Sequence, residues 1–167
     1  STDALAEAQQ EQGNQCLHCG TDVARAPVYT RYRVCPQCRF HYNLTALQRI
    51  TLLTDAGTFR EMHQSLVPLD PLAFADHLSY RERLSQAQSV TGLLEAVVTG
   101  TGNIGGIQSV LAVTDFGFMG GSIGSAVGEK VSQAADLALR QRASFLLVAC
   151  GGTPRIREGM LSLMQMA

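Results

Sequence analysis

The chain contains no tryptophan among its 167 residues, few aromatic residues of any kind, and no excess of charge of either sign. Its formal net charge is −1, which argues against bulk electrostatic binding of nucleic acid but leaves room for a local basic face. The longest apolar runs, such as residues 145–149, are far too short to cross a bilayer, and the N-terminus lacks the apolar core of a signal peptide. We therefore expect no membrane partner.

The sequence also lacks both standard phosphate-binding loops. It has no GxGxxG, and Glu129 separates Gly128 from Lys130, which breaks the GxxxxGK[ST] pattern. A different glycine-rich run lies between a β-patterned segment and a helical one, at residues 115–130. Its five glycines are Gly117, Gly120, Gly121, Gly124 and Gly128. This bare backbone is compatible with a cradle for a ligand carbonyl or phosphate, or with a strand-to-helix connection that needs glycine for tight packing.

Cysteine is scarce but regularly spaced. Four of the five cysteines form two CxxC pairs, Cys16 with Cys19 and Cys35 with Cys38, fifteen residues apart. This spacing is typical of two knuckles that close a tetrahedral zinc site, and four thiolates leave no open position, so a structural Zn²⁺ is predicted with His18 as a bystander, like His41. A redox dithiol is the alternative, although that chemistry uses a single CxxC. Reduced cysteines favour the cytosol or an organelle of similar redox state.

The segment between the two cysteine pairs alternates in pattern, and we expect residues 28–34 to form a hairpin arm. With its flanks it carries a basic and aromatic set: Arg25, Tyr29, Arg31, Tyr32, Arg33, Arg39, Phe40 and Tyr42. These side chains could contact phosphates and stack on the bases of RNA. Alternatively, the aromatic rings cover the metal knuckle, or the face is a docking surface.

The chain divides into four segments by composition. We expect a flexible lead-in at residues 1–15, the cysteine module at 16–44, a helical connector at 45–92, and an α/β domain from residue 93 to 167.

Two helices are predicted in the connector. The first follows the N-cap Thr45 and places Leu47, Ile50 and Leu53 on one face. The second covers about 79–89.

The α/β segment begins with a predicted hairpin of strands 96–102 and 108–114. A helix follows the glycine-rich run. Residues 144–149 are continuously apolar, which is typical of a parallel strand covered on both faces, and a third helix is predicted near Ile156. The order predicts ββα layers.

A second glycine motif ends the apolar strand, at residues 149–159. Backbone N–H groups at a turn such as Gly151-Gly152 can point at one spot and form an oxyanion hole for a thioester enolate. No side-chain triad accompanies this turn. Cys150 is either a nucleophile or, since no histidine is near in sequence, a small residue that lines the core.

Several long motifs follow one another in a characteristic order: the two CxxC pairs, then residues 70–74, 96–102, 115–130 and 158–167. Together they closely resemble the carboxyltransferase β subunit of bacterial and plastid acetyl-CoA carboxylase, from Cys16 to Ala167. The resemblance implies an α/β fold class, with an N-terminal four-cysteine zinc ribbon followed by the N-terminal part of a crotonase-like domain of ββα layers. The C-terminal remainder of that domain is expected to lie outside this chain.

That family transfers a carboxyl group from carboxybiotin, on a separate biotin carboxyl carrier protein, to the α-carbon of acetyl-CoA, which gives malonyl-CoA. The resemblance implies a carboxyltransferase α-type subunit as partner in a hetero-oligomer, in the cytoplasm or the plastid stroma. It assigns the oxyanion hole to the backbone of Gly151 and Gly152. It further suggests a wall of the acyl-CoA site at Gly120, Gly121, Ser122 and Gly124.

One departure falls at the turn itself. The family usually reads Ser-Gly-Gly-Ala-Arg-Met-Gln-Glu, whereas residues 150–158 are one residue longer and contain Pro154. Proline lacks an N–H, which predicts a reshaped hole. Two other functions are compatible with the motifs: a biotin-independent acyl-thioester decarboxylase, and a non-catalytic zinc-ribbon scaffold or RNA-binding subunit.

Overall fold

The computed structural model describes residues 14–165, so the predicted lead-in at 1–15 lies almost wholly outside the described residues. The chain divides into two compact units, with the boundary between Leu44 and Thr45. No helix among residues 14–165 is long and apolar enough to cross a membrane.

The first unit consists of the two cysteine knuckles and one short helix, α1, at Pro27–Tyr32. The predicted hairpin arm at 28–34 is therefore wrong. Pro27 occupies the first helical turn, where its fixed φ suits a helix, and Arg33 ends the helix in the left-handed conformation at φ 56°. Six residues are too few for an alternating pattern to distinguish a strand from one and a half helical turns.

The second unit contains four helices and four strands among its described residues. The helices are α2 (Ala46–Leu53), α3 (Tyr80–Thr91), α4 (Ser125–Gln141) and α5 (Met160–Met164). The strands are β1 (Arg60–Met62), β2 (Val97–Ile104), β3 (Ile107–Thr114) and β4 (Ser144–Val148). Two 3-10 turns lie at Met119–Gly121 and Ile156–Glu158. The predicted order of strand, strand, helix, strand, helix is confirmed from β2 onward, with the 3-10 turn at the start of the last helix.

The four strands form one sheet in the order β1-β2-β3-β4. The predicted hairpin is confirmed, because β2 and β3 pair antiparallel from Val97↔Thr114 to Ile104↔Ile107. The strand β4 joins β3 in parallel, from Ser109↔Ser144 to Val113↔Val148. A parallel neighbour requires a crossover, and α4 supplies it. The carboxyl end of β4 therefore lies beside the carboxyl end of β3, where both glycine motifs begin.

The core follows the two-residue period of the strands. Val98, Leu111 and Val113 pack with Ile50 of α2 on one face of the sheet. The alternate residues face the opposite layer: Val97 and Ala112 pack with Tyr80, Phe118 and Val127, and Val110 packs with Ala134 and Ala138. The sheet is thus covered by α2 on one side and by α3 and α4 on the other.

The helix starts of the connector are confirmed. Thr45 and Ser79 are N-caps, and each forms a reciprocal capping box with the residue three positions on, Gln48 and Glu82. The predicted buried face of α2 needs correction, because Ala46 and Ile50 are buried while Leu47 is 49% exposed. The Ala46 N–H donates to the buried carboxylate of Asp115 at 2.6 Å, and this bond turns the first residue of α2 inward.

The prediction that β4 is covered on both faces is wrong for the described residues. Phe145 and Leu147 are 37% and 48% exposed. They share a sheet face with Val110 and Ala112, and on that face α4 packs over β3 and β2 more than over β4. An apolar run indicates a strand that avoids water, but it does not say how far a neighbouring helix reaches across the sheet.

Candidate functional site

The four cysteines of the CxxC pairs converge in the first unit. Their sulfur atoms all lie within 4.8 Å of one another, with Cys16 Sγ 3.7 Å from Cys38 Sγ and Cys19 Sγ 3.6 Å from Cys35 Sγ. A tetrahedral zinc ion with Zn–S bonds of about 2.3 Å separates its sulfur ligands by about 3.8 Å. All four are free thiols rather than disulfides, so the cluster could hold a metal ion. No histidine or carboxylate belongs to this cluster among residues 14–165.

Two aromatic rings support the cluster. The Tyr42 hydroxyl donates to Cys16 Sγ at 3.2 Å and accepts from the Leu17 N–H at 3.0 Å, and the Tyr29 ring meets Tyr42 edge-on. The hydrogen bond from Tyr42 lowers the pKa of Cys16 to about 6, while burial raises the pKa of Cys38 to about 12. A divalent cation bound here would supply the charge that deprotonates such an uneven set of thiols together.

The second glycine motif leaves β4 as a turn clamped at both ends. At its start, the Cys150 N–H donates to Thr114 Oγ1 at 2.6 Å. At its end, the Ile123 N–H donates to the Thr153 carbonyl and the Arg155 N–H donates to the Ile123 carbonyl, each at 2.9 Å. Between the clamps, Gly151 and Gly152 have φ of 76° and 140° and are exposed. Their N–H groups meet no acceptor within residues 14–165.

The two glycine motifs are in direct backbone contact. A Cβ on Gly121 would collide with the Cys150 carbonyl, and a Cβ on Gly151 would collide with the Gly120 carbonyl. At Gly124 a Cβ would meet the guanidinium of Arg155, with Nη1 at 2.8 Å. Tight packing therefore explains the glycines at 121, 124 and 151. The role of residues 120–124 as an acyl-CoA wall stays a prediction.

Pro154 fits the clamp without a lost bond. It pairs with Ile123 in a parallel bridge that uses the carbonyl of Thr153 and the N–H of Arg155. The backbone nitrogen of Pro154 lies between these two groups and is not required as a donor. The proline thus stiffens the end of the turn and leaves both glycine N–H groups in place.

A buried ionic cluster lies behind the turn. Arg155 is 2% exposed and donates to both oxygens of Glu95, at 2.5 Å from Nη2 and 2.9 Å from Nη1. Its Nη1 also donates to Tyr80 Oη at 3.1 Å and to Glu158 Oε1 at 3.2 Å. The Tyr80 hydroxyl donates to Glu158 at 2.5 Å. Every acceptor of this fork is itself buried, so the cluster forms a closed, bidentate arrangement.

Burial shifts the pKa values of Arg155 and Tyr80. By itself it would lower the pKa of Arg155, but hydrogen bonds and the negative charge of Glu95 outweigh this effect and raise the pKa. Burial also raises the pKa of Tyr80, which keeps the hydroxyl protonated as a donor to Glu158. Within this cluster, neither Arg155 nor Tyr80 titrates near neutral pH.

Cys150 has the environment of a core residue. Its thiol donates to the Thr114 carbonyl at 3.1 Å, and burial raises its pKa. A protonated, hydrogen-bonded thiol is a poor nucleophile. This geometry favours the structural interpretation of Cys150.

A separate cavity of about 220 Å³ lies beside the same glutamate. Its lining includes Glu61, Glu95 and Lys130, together with Leu93 and Leu94. Lys130 is 3% exposed, and burial lowers its pKa against the opposing charges of Glu95 and Glu61. Lys130 is therefore a second cation whose charge acts on Glu95, which also pairs with the guanidinium of Arg155.

Four residues of this site received no role from the sequence: Tyr80, Glu95, Arg155 and Glu158. A usable signal existed for Glu95, which interrupts the apolar run 93–98 with a charge. A charge within such a run is rarely buried without a partner. The partner of Glu95 could not be predicted from the sequence, because Arg155 lies 60 positions further along the chain.

Comparison with known proteins gives a consistent result. Residues 41–167 match the carboxyl transferase domain family. The chain is 44% identical over 154 residues to the acetyl-coenzyme A carboxylase carboxyl transferase subunit beta of Synechococcus sp. (strain WH7803), an alignment that covers 92% of this chain and 53% of that protein. The subunit of the same name from Synechococcus sp. (strain RCC307) is 45% identical over 154 residues, with the same coverage. The chain thus spans about half the length of the curated relatives it matches.

The structure is also similar to a solved carboxyltransferase. It aligns with the transcarboxylase 12S structure that has methylmalonyl-coenzyme A and methylmalonic acid bound, with a TM-score of 0.58 and 28% identity, over 74% of this chain and 22% of that one. The predicted fold class is thereby confirmed: a four-cysteine module precedes part of a crotonase-like α/β domain.

Proposed function

This chain belongs to the carboxyl transferase domain family, and we propose that it is the acyl-CoA-binding part of a carboxyltransferase β-type subunit. Its task is to hold an acyl-CoA, with acetyl-CoA as the expected substrate, while a carboxyl group is transferred to the α-carbon and malonyl-CoA forms. The observation that carries this proposal is the Gly151–Gly152 turn, clamped at both ends with two exposed N–H groups that no acceptor within residues 14–165 satisfies.

The turn offers what enolate chemistry requires. When the α-carbon of a thioester loses a proton, the negative charge moves to the thioester oxygen. Two backbone N–H groups that are already fixed can donate to that oxygen without reorganisation, and one such donor is typically worth about 3 to 4 kcal/mol of transition-state stabilisation. The carbonyls of Gly120 and Cys150 lie close against Gly151 and Gly121, which leaves little room for the turn to move on that side.

The remaining components come from outside the described residues. Carboxybiotin on a carrier protein supplies the carboxyl group and, after its release, a base. A carboxyltransferase α-type subunit is the proposed partner. The lack of an acid–base pair at the turn within residues 14–165 is consistent with chemistry in which this chain contributes positioning and backbone dipoles.

We also propose that the four cysteines hold a structural Zn²⁺. The separations of 3.6 and 3.7 Å between paired sulfur atoms match a tetrahedral thiolate shell. Four protein ligands fill that shell, so the ion has no position for substrate.

The test is carboxyl transfer by the assembled complex. The full subunit, with its α-type partner and a biotinylated carrier, should convert malonyl-CoA to acetyl-CoA with transfer of the carboxyl group to biotin, and avidin should abolish this reaction. Decarboxylation that persists in avidin would instead support the biotin-independent decarboxylase. No turnover by folded, zinc-containing protein would contradict the proposal.

A further inference from the structure

Two residues outside both glycine motifs determine where the guanidinium of Arg155 points. Tyr80 begins α3, and Glu95 lies just before β2, so they precede Arg155 by 75 and 60 positions. Glu95 receives two parallel hydrogen bonds and Tyr80 receives a third, which fixes the plane of the guanidinium. Planar, bidentate pairing of this kind gives orientation as well as attraction.

The oriented guanidinium in turn joins the two glycine motifs. Arg155 Nε donates to Ser122 Oγ at 3.2 Å, and Nη2 donates to the Ser122 carbonyl at 2.9 Å. The backbone N–H of the same residue donates to the Ile123 carbonyl at 2.9 Å and to Ser162 Oγ at 2.6 Å. Arg155, three positions after Gly152, therefore binds the 120–124 segment through both its side chain and its backbone.

Stability alone does not account for such a cluster. Buried ion pairs often contribute no more to stability than apolar side chains of equal volume, and their best-attested benefit is a unique arrangement. Here the arrangement sets the distance between the turn that carries the N–H donors and the segment against which it packs. Donors of an oxyanion hole must lie within a few tenths of an ångström of their place to be effective.

We propose that Tyr80 and Glu95 are positioning residues for the Gly151–Gly152 turn, acting through the guanidinium of Arg155. They hold the turn in register with residues 120–124, so that the two glycine N–H groups meet the developing enolate oxygen. This inference rests on the proposed function for its catalytic consequence, while the positioning itself concerns the turn alone.

The experiment compares Tyr80→Phe with Ser109→Ala. Each substitution removes one buried hydroxyl and leaves the remaining packing in place. Ser109 lies at the far end of β3, and among the described residues its hydroxyl donates only to the Ile107 carbonyl. Hydrogen exchange is measured at the amides of Ile123 and Arg155, whose bonds form the clamp, and steady-state kinetics are measured in the assembled complex. Glu95→Gln is a second variant that tests the bidentate pair.

In Tyr80→Phe we expect the Ile123 and Arg155 amides to exchange at least about tenfold faster than in Ser109→Ala. We also expect kcat to fall about tenfold with KM for acyl-CoA changed less than twofold, because misplaced donors weaken the transition state more than the bound substrate. Equal exchange in the two variants would overturn the positioning role. Faster exchange with an unchanged kcat would overturn its catalytic consequence, and a wild-type complex without carboxyl transfer would overturn the proposed function while the exchange result stands.

Discussion

The cysteine cluster and the Gly151–Gly152 turn are both rigid sites, but they are held in opposite ways. The cluster draws its four thiols from two short motifs within 23 residues, and the zinc ion proposed for it would complete the site. The turn contributes bare backbone and is held by side chains from α3, the start of β2 and the 3-10 turn at Ile156–Glu158. A site built from a local spacing depends on its ligand, whereas a site built from distant residues depends on the whole domain.

Removal of the metal has the largest expected effect, and it tests whether the cysteine cluster depends on its ligand. A strong chelator, or Cys35→Ala, should unfold residues 16–44, because zinc binding supplies about 10–16 kcal/mol to such modules and their apolar core is small. The second unit should stay folded. Amide protection measured segment by segment checks this, with Cys150→Ala as the control that should keep the metal. Protected amides in 16–44 after chelation would contradict a zinc-dependent fold.

Removal of the Arg155 guanidinium tests whether the Gly151–Gly152 turn depends on the surrounding domain. Arg155→Met should lower the free energy of unfolding by about 3–5 kcal/mol, because Glu95 and Glu158 lose their partner while still buried. The matched control is Arg157→Met, whose 3.4 Å contact with Asp76 is partly exposed and should be worth less than about 1 kcal/mol. Urea unfolding measures both. Similar losses in the two variants would mean that the buried ion pairs of Arg155 stabilise the fold no more than the partly exposed contact of Arg157.

A methyl group added where the two glycine motifs touch tests how much their backbone contact contributes to stability. Gly121→Ala places a Cβ against the Cys150 carbonyl at a φ of 69°, and we expect a loss of about 2–4 kcal/mol from combined overlap and strain. Gly106→Ala has a similar φ of 80° with open space around it, so it should show the strain alone, about 1 kcal/mol. Thermal unfolding of both variants gives the difference. Equal losses would show that the backbone contact is unimportant.

The smallest expected effect concerns the exposed edge of the same region. Hydrogen bonds from Arg83 and from the Leu78 N–H lower the pKa of Asp76 below its usual value. Asp76 therefore stabilises the fold above its unfolded pKa of about 3.9, and this contribution disappears as the pH falls through the lower, folded value. Asp76→Asn should show a slightly lower urea midpoint at pH 7, and the difference between the two proteins should shrink progressively as the pH falls below about 4. A constant difference down to pH 2 would contradict the assignment.

Local signals predicted much of this structure. The N-cap at Thr45, the helix that begins near Ser79, the hairpin of β2 and β3 and the CxxC pairs each depend on residues a few positions apart. Other predictions failed. The helix α1 replaced a hairpin arm because six residues cannot define a period. Phe145 is exposed because of its neighbours, since α4 packs over β3 and β2 more than over β4. The ionic cluster was missed for the same reason, since Tyr80, Glu95 and Arg155 become partners only when the sheet has formed.

Glu158 links the start of α4 to a segment that lies later in the chain. Its Oε2 accepts the N–H of Ser125, the first residue of α4, at 2.6 Å, whereas the N-cap Gly124 has no side chain to offer. During translation α4 emerges 33 residues before the carboxylate that completes its first turn. The first N–H of α4 therefore obtains this acceptor only when the segment that follows the Gly151–Gly152 turn is in place.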